Sequence, residues 1–172
     1  MKNPISFYRI FISFLFLTGP ITAISQDNSF FEKTKIQHKI NEARHNFVQG
    51  NVKSALLNYK EAIALNSSYP KAEYGLAECY YKLQNYKKAK FHAEKVYLAN
   101  PKIDDDILFL LGRTYFRLNE LAKAKQKLIQ FKEIIKSKSK LKDYGVDLKL
   151  AQIAYARTIK WNIVTSQIRY NV

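Results

Sequence analysis

Ala55, Ala89 and Ala124 stand 34 and 35 residues apart in a chain of 172, and residues of similar kind surround each of them. A fixed period of this length means one supersecondary unit copied and stacked, which constrains architecture more than any single residue does. Upstream of each alanine lies a small residue, Ala43, Ala77 or Gly112. Asn46, Tyr80 and Tyr115 follow these, and then a break comes at Gly50, Gln84 or Asn119. Downstream stand Tyr59, Ala93 and Leu128, then Ala62, Val96 and Phe131. Pro70 and Pro101 mark two of the junctions between units.

Each unit reads as two helices. Segment 71–83 places Ala72, Leu76, Ala77, Tyr80 and Leu83 at helical spacing, and segment 86–98 does the same with Tyr86, Ala89, Ala93, Val96 and Tyr97. Small residues at Ala77 and Ala89 let the two helices approach, while Leu76, Tyr80 and Tyr86 fill the space around them. One such pair cannot bury its apolar stripe alone, so the units must stack, and about three are needed. The copies agree in phase apart from a one-residue slip near Asp104. The first copy is the poorest, with Glu42 and Asn46 where the others carry Leu76/Tyr80 and Leu111/Tyr115. A terminal unit is expected to be atypical because one face meets water.

These residues resemble the tetratricopeptide repeat, a 34-residue pair of antiparallel helices, over roughly Ile36 to Lys138. The resemblance implies an all-α, right-handed superhelical solenoid of about three repeats (36–69, 70–103 and 105–138) with a C-terminal capping helix. That cap is expected at about 142–160, with Val146, Leu150, Ala151, Ile153, Ala154 and Trp161 on its buried side. The repeat domain then spans 26–160. Residues 161–172, rich in Ile, Val, Thr and Tyr, are expected to be extended or disordered, and Lys136–Lys142 to form a helix end and linker.

The first 25 residues read as a secretory signal. Lys2 and Arg9 start it, Ile10 to Leu17 form the apolar stretch, and Ala23-Ile24-Ser25 offers a cleavage site before Gln26. The apolar run is short of the roughly 20 residues that a spanning helix needs, though an uncleaved anchor stays open. Export to the periplasm or outer membrane is the expectation. An exported leader, about three repeats, a capping helix and a strand-like end are also similar to the start of larger bacterial envelope proteins. In those, tetratricopeptide repeats precede a β-propeller and a peptidoglycan-binding domain similar to outer membrane protein A, and some members serve type IX secretion.

The formal charge is +15, with a pI of about 9.8. The leader directs the chain away from nucleic acid, and Lys53, Lys60, Lys87, Lys88, Lys90, Lys123, Lys125 and Lys127 are scattered over outward helix positions. A solvated basic surface and attraction to an anionic envelope surface or acidic peptide both remain. Cys79 is the only cysteine, so no intrachain disulfide forms, and it reads as an apolar filler. His38, His45 and His92 show no metal-ligand spacing, and no phosphate loop or nucleophile elbow occurs. Asp104, Asp105 and Asp106 read as capping charge at a helix start. Neither an enzyme nor a cofactor or metal is implied.

In tetratricopeptide arrays the first helix of each pair lines a concave groove that holds a peptide or a partner helix. By repeat phase, the resemblance places Gln37, Ile40, Asn41, Arg44 and Phe47 there from the first unit. Lys71, Tyr74, Glu78, Tyr81 and Lys82 follow from the second, and Asp106, Phe109, Arg113, Phe116 and Arg117 from the third. Arg113 and Arg117 would hold carboxylates while Tyr74, Tyr81 and Phe116 supply apolar area, which suits an acidic partner segment with apolar side chains. Arg44 and Glu78 depart from the pattern of chaperone-docking domains, which disfavours chaperone tails. The function expected is an exported, non-enzymatic scaffold in a cell-envelope complex. The alternative is adhesion to anionic polymer or lipid head groups through the basic exterior.

Overall fold

The computed structural model describes residues 30–66, 69–101 and 105–170. The expected leader, with its cleavage site and Gln26, lies outside them, as do Asp104 and the last two residues. Among the described residues the chain is all helix and turn. The helices are α1 over residues 30–48, α2 Val52–Leu65, α3 Pro70–Lys82, α4 Tyr86–Ala99, α5 Asp106–Arg117, α6 Leu121–Ile134, α7 Lys138–Asp143 and α8 Val146–Tyr170. They pack in chain order, α2 on α3, α3 on α4, α4 on α5 and α5 on α6, while α3 also meets α5.

The periodic break residues are the turns inside each helix pair. Gly50, Gln84 and Asn119 adopt φ of 82°, 59° and 60°. The amide after each one bonds back across the turn, Asn51 to the Asn46 carbonyl at 2.8 Å and Asn85 to Tyr80 at 2.9 Å. Glu120 bonds to Tyr115 at 2.9 Å in the same way. A left-handed residue placed there ends one helix and satisfies its last carbonyls before the next begins. Three copies of one local geometry explain the period.

The period-marking small residues are all buried, Ala43, Ala55, Ala77, Ala89 and Ala124 completely. Gly112 shows why they must be small. A Cβ there would fall 2.7 Å from Leu128 Cγ, well inside normal carbon contact. Two clusters make up the core. One joins Ile36, Ile40 and Ala43 of α1 to Ala55, Tyr59 and Ala62 of α2 and to Leu76, Cys79 and Tyr80 of α3. The other joins α4, α5 and α6 to the end of the chain through Leu111, Phe131, Val146 and Ile153.

Three expectations change at the C-terminal side. Residues 136–142 are not a plain linker, because Ser137 accepts a hydrogen bond from the Lys140 amide and starts the short α7. Residues 161–170, expected extended, continue α8 to Tyr170. The β-branched residues there cost only tenths of a kcal/mol each in a helix, and neither glycine nor proline interrupts Val146–Tyr170. On α8, Val146 and Ile153 are buried as expected and Leu150 is half-buried, but Ala151 and Ala154 are exposed. Of the aspartates, Asp106 places its charge in the first turn of α5 as expected, but the capping part of the reading is not met. The Asp105 side chain caps nothing. Asp106 instead accepts a 2.6 Å hydrogen bond from the Tyr144 hydroxyl and pairs with Lys140 at 3.0 Å.

Candidate functional site

The first helices of the pairs, α1, α3 and α5, carry matching positions 34 or 35 residues apart. Gln37, Lys71 and Asp106 form one set, Ile40, Tyr74 and Phe109 a second, Arg44, Glu78 and Arg113 a third, and Phe47, Tyr81 and Phe116 a fourth. A cleft of about 480 Å³ opens along these helices. Gln37, Ile40, Arg44, Phe47 and Val48 line it from α1, Lys71, Tyr74 and Glu78 from α3, and Asp106 from α5. Tyr59 of α2 reaches it from below. The cleft therefore gathers most of the residues expected from the first two repeats and only one from the third.

Tyr59 was not legible as a lining residue, since its position in the second helix points it at the core. It enters because Gly75 offers no side chain. A Cβ on Gly75 would collide with ring atoms Cζ, Cε1 and Cε2 of Tyr59, the most distant of the three being 2.5 Å away. The ring is 4 % exposed, and burial, with the charge of Glu78 adding and that of Arg44 opposing, holds its hydroxyl above the usual range.

The third repeat turns its charged groups inward. Arg113 lies over the Tyr81 ring at 4.0 Å and the Phe109 ring at 5.5 Å. One of its terminal nitrogens is 3.8 Å from Glu78, and its buried Nε has no hydrogen-bond acceptor. Phe109, expected in the groove, is 8 % exposed. Tyr144 meets it edge-on at 4.5 Å and Phe131 packs at 5.4 Å, because the segment after α6 folds back over α5. Lys149 of α8 sits 5.2 Å above the same ring, and burial followed by the charge of Arg113 pushes its ammonium below the usual range. Phe116 is half-buried against the core. Arg117 stays exposed with its guanidinium 4.9 Å from the Tyr86 ring, and Lys82 is exposed at the end of α3 outside the cleft. Asn41 is exposed and accepts a 3.0 Å bond from Gln37.

Arg44 and Lys71 are the exposed cations of the cleft. Among the described residues no carboxylate comes within ion-pair distance of either. Away from the cleft, Glu73 of α3 is 3 % exposed, held by His92 Nδ1 at 2.6 Å and by the Lys95 ammonium. His92 thus has a structural partner that spacing did not reveal. Among the described residues no group of three or more His, Cys, Asp or Glu side chains is placed to hold a metal, and no helix is long and apolar enough to cross a membrane.

Residues 47–95 match the family pattern of the Tetratricopeptide repeat. No curated protein matches the chain. Solved structures do. The Yersinia enterocolitica type III secretion chaperone SycD, in complex with a peptide of the translocator YopD, superposes with a TM-score of 0.62 at 18% identity, over 72% of this chain and 95% of that one. The fold is a tetratricopeptide-repeat fold. The second tetratricopeptide domain of human RPAP3, in complex with an HSP70 peptide, gives a TM-score of 0.61 at 18% identity, covering 72% of this chain and 98% of that one. The C-terminal tetratricopeptide domain of a putative Plasmodium falciparum FK506-binding protein gives 0.63 at 21% identity, over 74% and 93%. In tetratricopeptide terms α1 to α6 form three repeats and α7 and α8 cover the last of them.

Proposed function

We propose that this chain is a non-enzymatic tetratricopeptide scaffold that binds a segment of another protein along α1, α3 and α5. The cleft carries the reading. It is open, it is built from the first helices of the repeats, and it sets aromatic faces beside exposed cations. Two proteins of the same fold, SycD and RPAP3, are each solved in complex with a peptide, which supports it. The segment carries carboxylates beside apolar side chains, because such a ligand matches both kinds of lining. The leader pattern of residues 1–25 points to work after export, within a cell-envelope complex. A leader followed by repeats is the order expected of envelope proteins that carry repeats before a β-propeller, although residues 161–170 are helix and not the strand-like end of that likeness.

Site-specific photocrosslinking in the native cell tests this. A crosslinker at Tyr74, in the cleft, should capture one defined segment that mass spectrometry can map. A crosslinker at Leu57, 58 % exposed on α2 and outside the cleft, should not capture that segment. Equal capture of the same segment from both positions would refute the groove. The exposed Lys53, Lys60, Lys87, Lys88, Lys123 and Lys125 favour surface adhesion as a second reading. Attraction to an anionic surface should collapse between low and physiological salt, whereas capture at an aromatic cleft should fall modestly.

A further inference from the structure

Which residues of the cleft meet the ligand follows from which charges the protein already uses, an inference that rests on the groove reading above. We propose that Arg44 and Lys71 hold two acidic side chains spaced three residues apart in an extended partner segment, with apolar residues between them. Arg113 of the third repeat is held inside the fold and Arg117 lies outside the cleft lining, so neither takes part.

Across the three repeats, one position reads Arg44, Glu78, Arg113 and another reads Gln37, Lys71, Asp106. In each set the protein satisfies the carboxylate from its C-terminal side. Glu78 lies 3.8 Å from Arg113. Asp106 takes Lys140 at 3.0 Å and the Tyr144 hydroxyl at 2.6 Å. Arg113 is further held on Tyr81 and Phe109, so a ligand would have to dismantle a packed stack to use it. Arg44 and Lys71 have no such engagement among the described residues, and both are exposed in the cleft.

Their spacing sets the register. Lys71 matches Gln37 on the neighbouring helix, so Arg44 is offset from it by seven residues, about 10 Å measured along the helix axes at a rise of 1.5 Å per residue. A polyproline II segment rises about 9 Å per three-residue turn and returns its side chains to the same face. In a segment lying along the helix axes, carboxylates at positions i and i+3 then fall beside both cations, while the intervening apolar side chains meet the half-buried Phe47 and Tyr74 of the cleft. Glu78 also lines the cleft beside Arg44, so a run of adjacent acids is disfavoured.

The test uses the full chain and fluorescein-labelled, end-blocked peptides read by anisotropy at physiological salt. The cores are Glu-Pro-Leu-Glu, the permuted Glu-Glu-Pro-Leu and the neutral Gln-Pro-Leu-Gln. The spaced acidic peptide should bind about tenfold tighter than the permuted one, the loss expected when one charge-assisted hydrogen bond is removed, and about a hundredfold tighter than the neutral one, which loses two. Arg44→Gln and Lys71→Gln should each weaken it by about tenfold, with circular dichroism unchanged. Glu78→Gln should tighten it. Arg113→Gln should leave affinity within about threefold while lowering the thermal midpoint. Equal binding of the spaced and permuted peptides overturns the register. An Arg113→Gln loss as large as that of Arg44→Gln, at unchanged midpoint, overturns the cation assignment, and both results leave the groove reading standing. Failure of the wild type to bind the spaced acidic peptide removes this inference, while the groove reading stands or falls on the crosslinking at Tyr74.

Discussion

Gly75→Ala is the substitution on which propensity and packing disagree most sharply. Gly75 lies inside α3, where alanine is favoured over glycine by about 1 kcal/mol. By that term alone the variant would be stabilised. Packing opposes it. The new methyl would overlap three ring atoms of Tyr59, the farthest only 2.5 Å away, whereas carbon atoms rest about 3.5–4.0 Å apart. The ring must retreat by more than about 1 Å, yet it is 4 % exposed and belongs to the core cluster of the first two repeats. Overpacking costs about 1–3 kcal/mol. At the upper end the net loss is about 2 kcal/mol, a fall of roughly 4–8 °C in thermal midpoint for a chain of this size. The assay is a double-mutant cycle with Tyr59→Leu, since leucine ends short of Cζ, Cε1 and Cε2. Alanine at position 75 should destabilise the wild type but not the Tyr59→Leu background, giving a coupling of about 1–3 kcal/mol. Gly112→Ala is a milder control, because its nearest contact, Leu128 Cγ at 2.7 Å, is less close than the Tyr59 ring atoms are to position 75. A raised midpoint for Gly75→Ala in the wild type would refute the placement of Tyr59.

Gln84→Gly should stabilise the protein by about 0.5–1 kcal/mol, because Gln84 bears a φ of 59° where the first repeat has Gly50. A midpoint that does not rise in thermal melts would count against the turn geometry. Cys79 is fully buried and its thiol is pushed up to about 12 by burial, with the charge of Glu78 adding to the effect. Iodoacetamide at pH 8 should therefore leave it intact until denaturant is added, and rapid stoichiometric labelling of native protein would contradict the packing. Glu120 is held below the usual 4.5 by hydrogen bonds from Lys90 and then Lys123. A lowered carboxyl stabilises above its unfolded value, and the benefit disappears as pH falls through the folded one. Glu120→Gln should thus cost up to about 1 kcal/mol at pH 7, and the gap to wild type should close below about pH 4.5. A gap that stays constant to pH 3 in urea titrations would exclude the ion pair as its cause.

The repeat architecture was legible because its causes are local and recur. Gly50 has no side chain and Gln84 and Asn119 carry amides on stems of different length, yet their spacing alone placed three equivalent turns, and the small residues at 43, 77 and 112 placed three close helix approaches. What escaped the sequence depends on contacts between copies. Tyr59 in the cleft needs Gly75 of the following repeat to lack a side chain. Phe109 left the groove because Tyr144, 35 residues later, folds over it, and periodicity says nothing about a segment outside the repeats. The helix through Tyr170 was missed by weighting the strand preference of Ile163, Val164 and Thr165 above the larger fact that nothing in α8 interrupts a helix already begun.

For the site, repeat phase identified which side chains share a face but not which charges remain available on it. Arg44 and Arg113 occupy the same position in their repeats and differ only in their neighbours. Glu78, Tyr81 and Phe109 converge on Arg113 from α3 and α5, whereas among the described residues no copy stands before the repeat of Arg44 to supply such partners. A terminal repeat in a stacked array keeps the unmet half of every cross-repeat interaction. Ligand-binding charge should therefore concentrate at the N-terminal end of this groove, because α7 and α8 already close the other end with Lys140, Tyr144 and Lys149. The same asymmetry explains why the weakest copy by sequence, α1 with Glu42 and Asn46, contributes the most residues to the cleft.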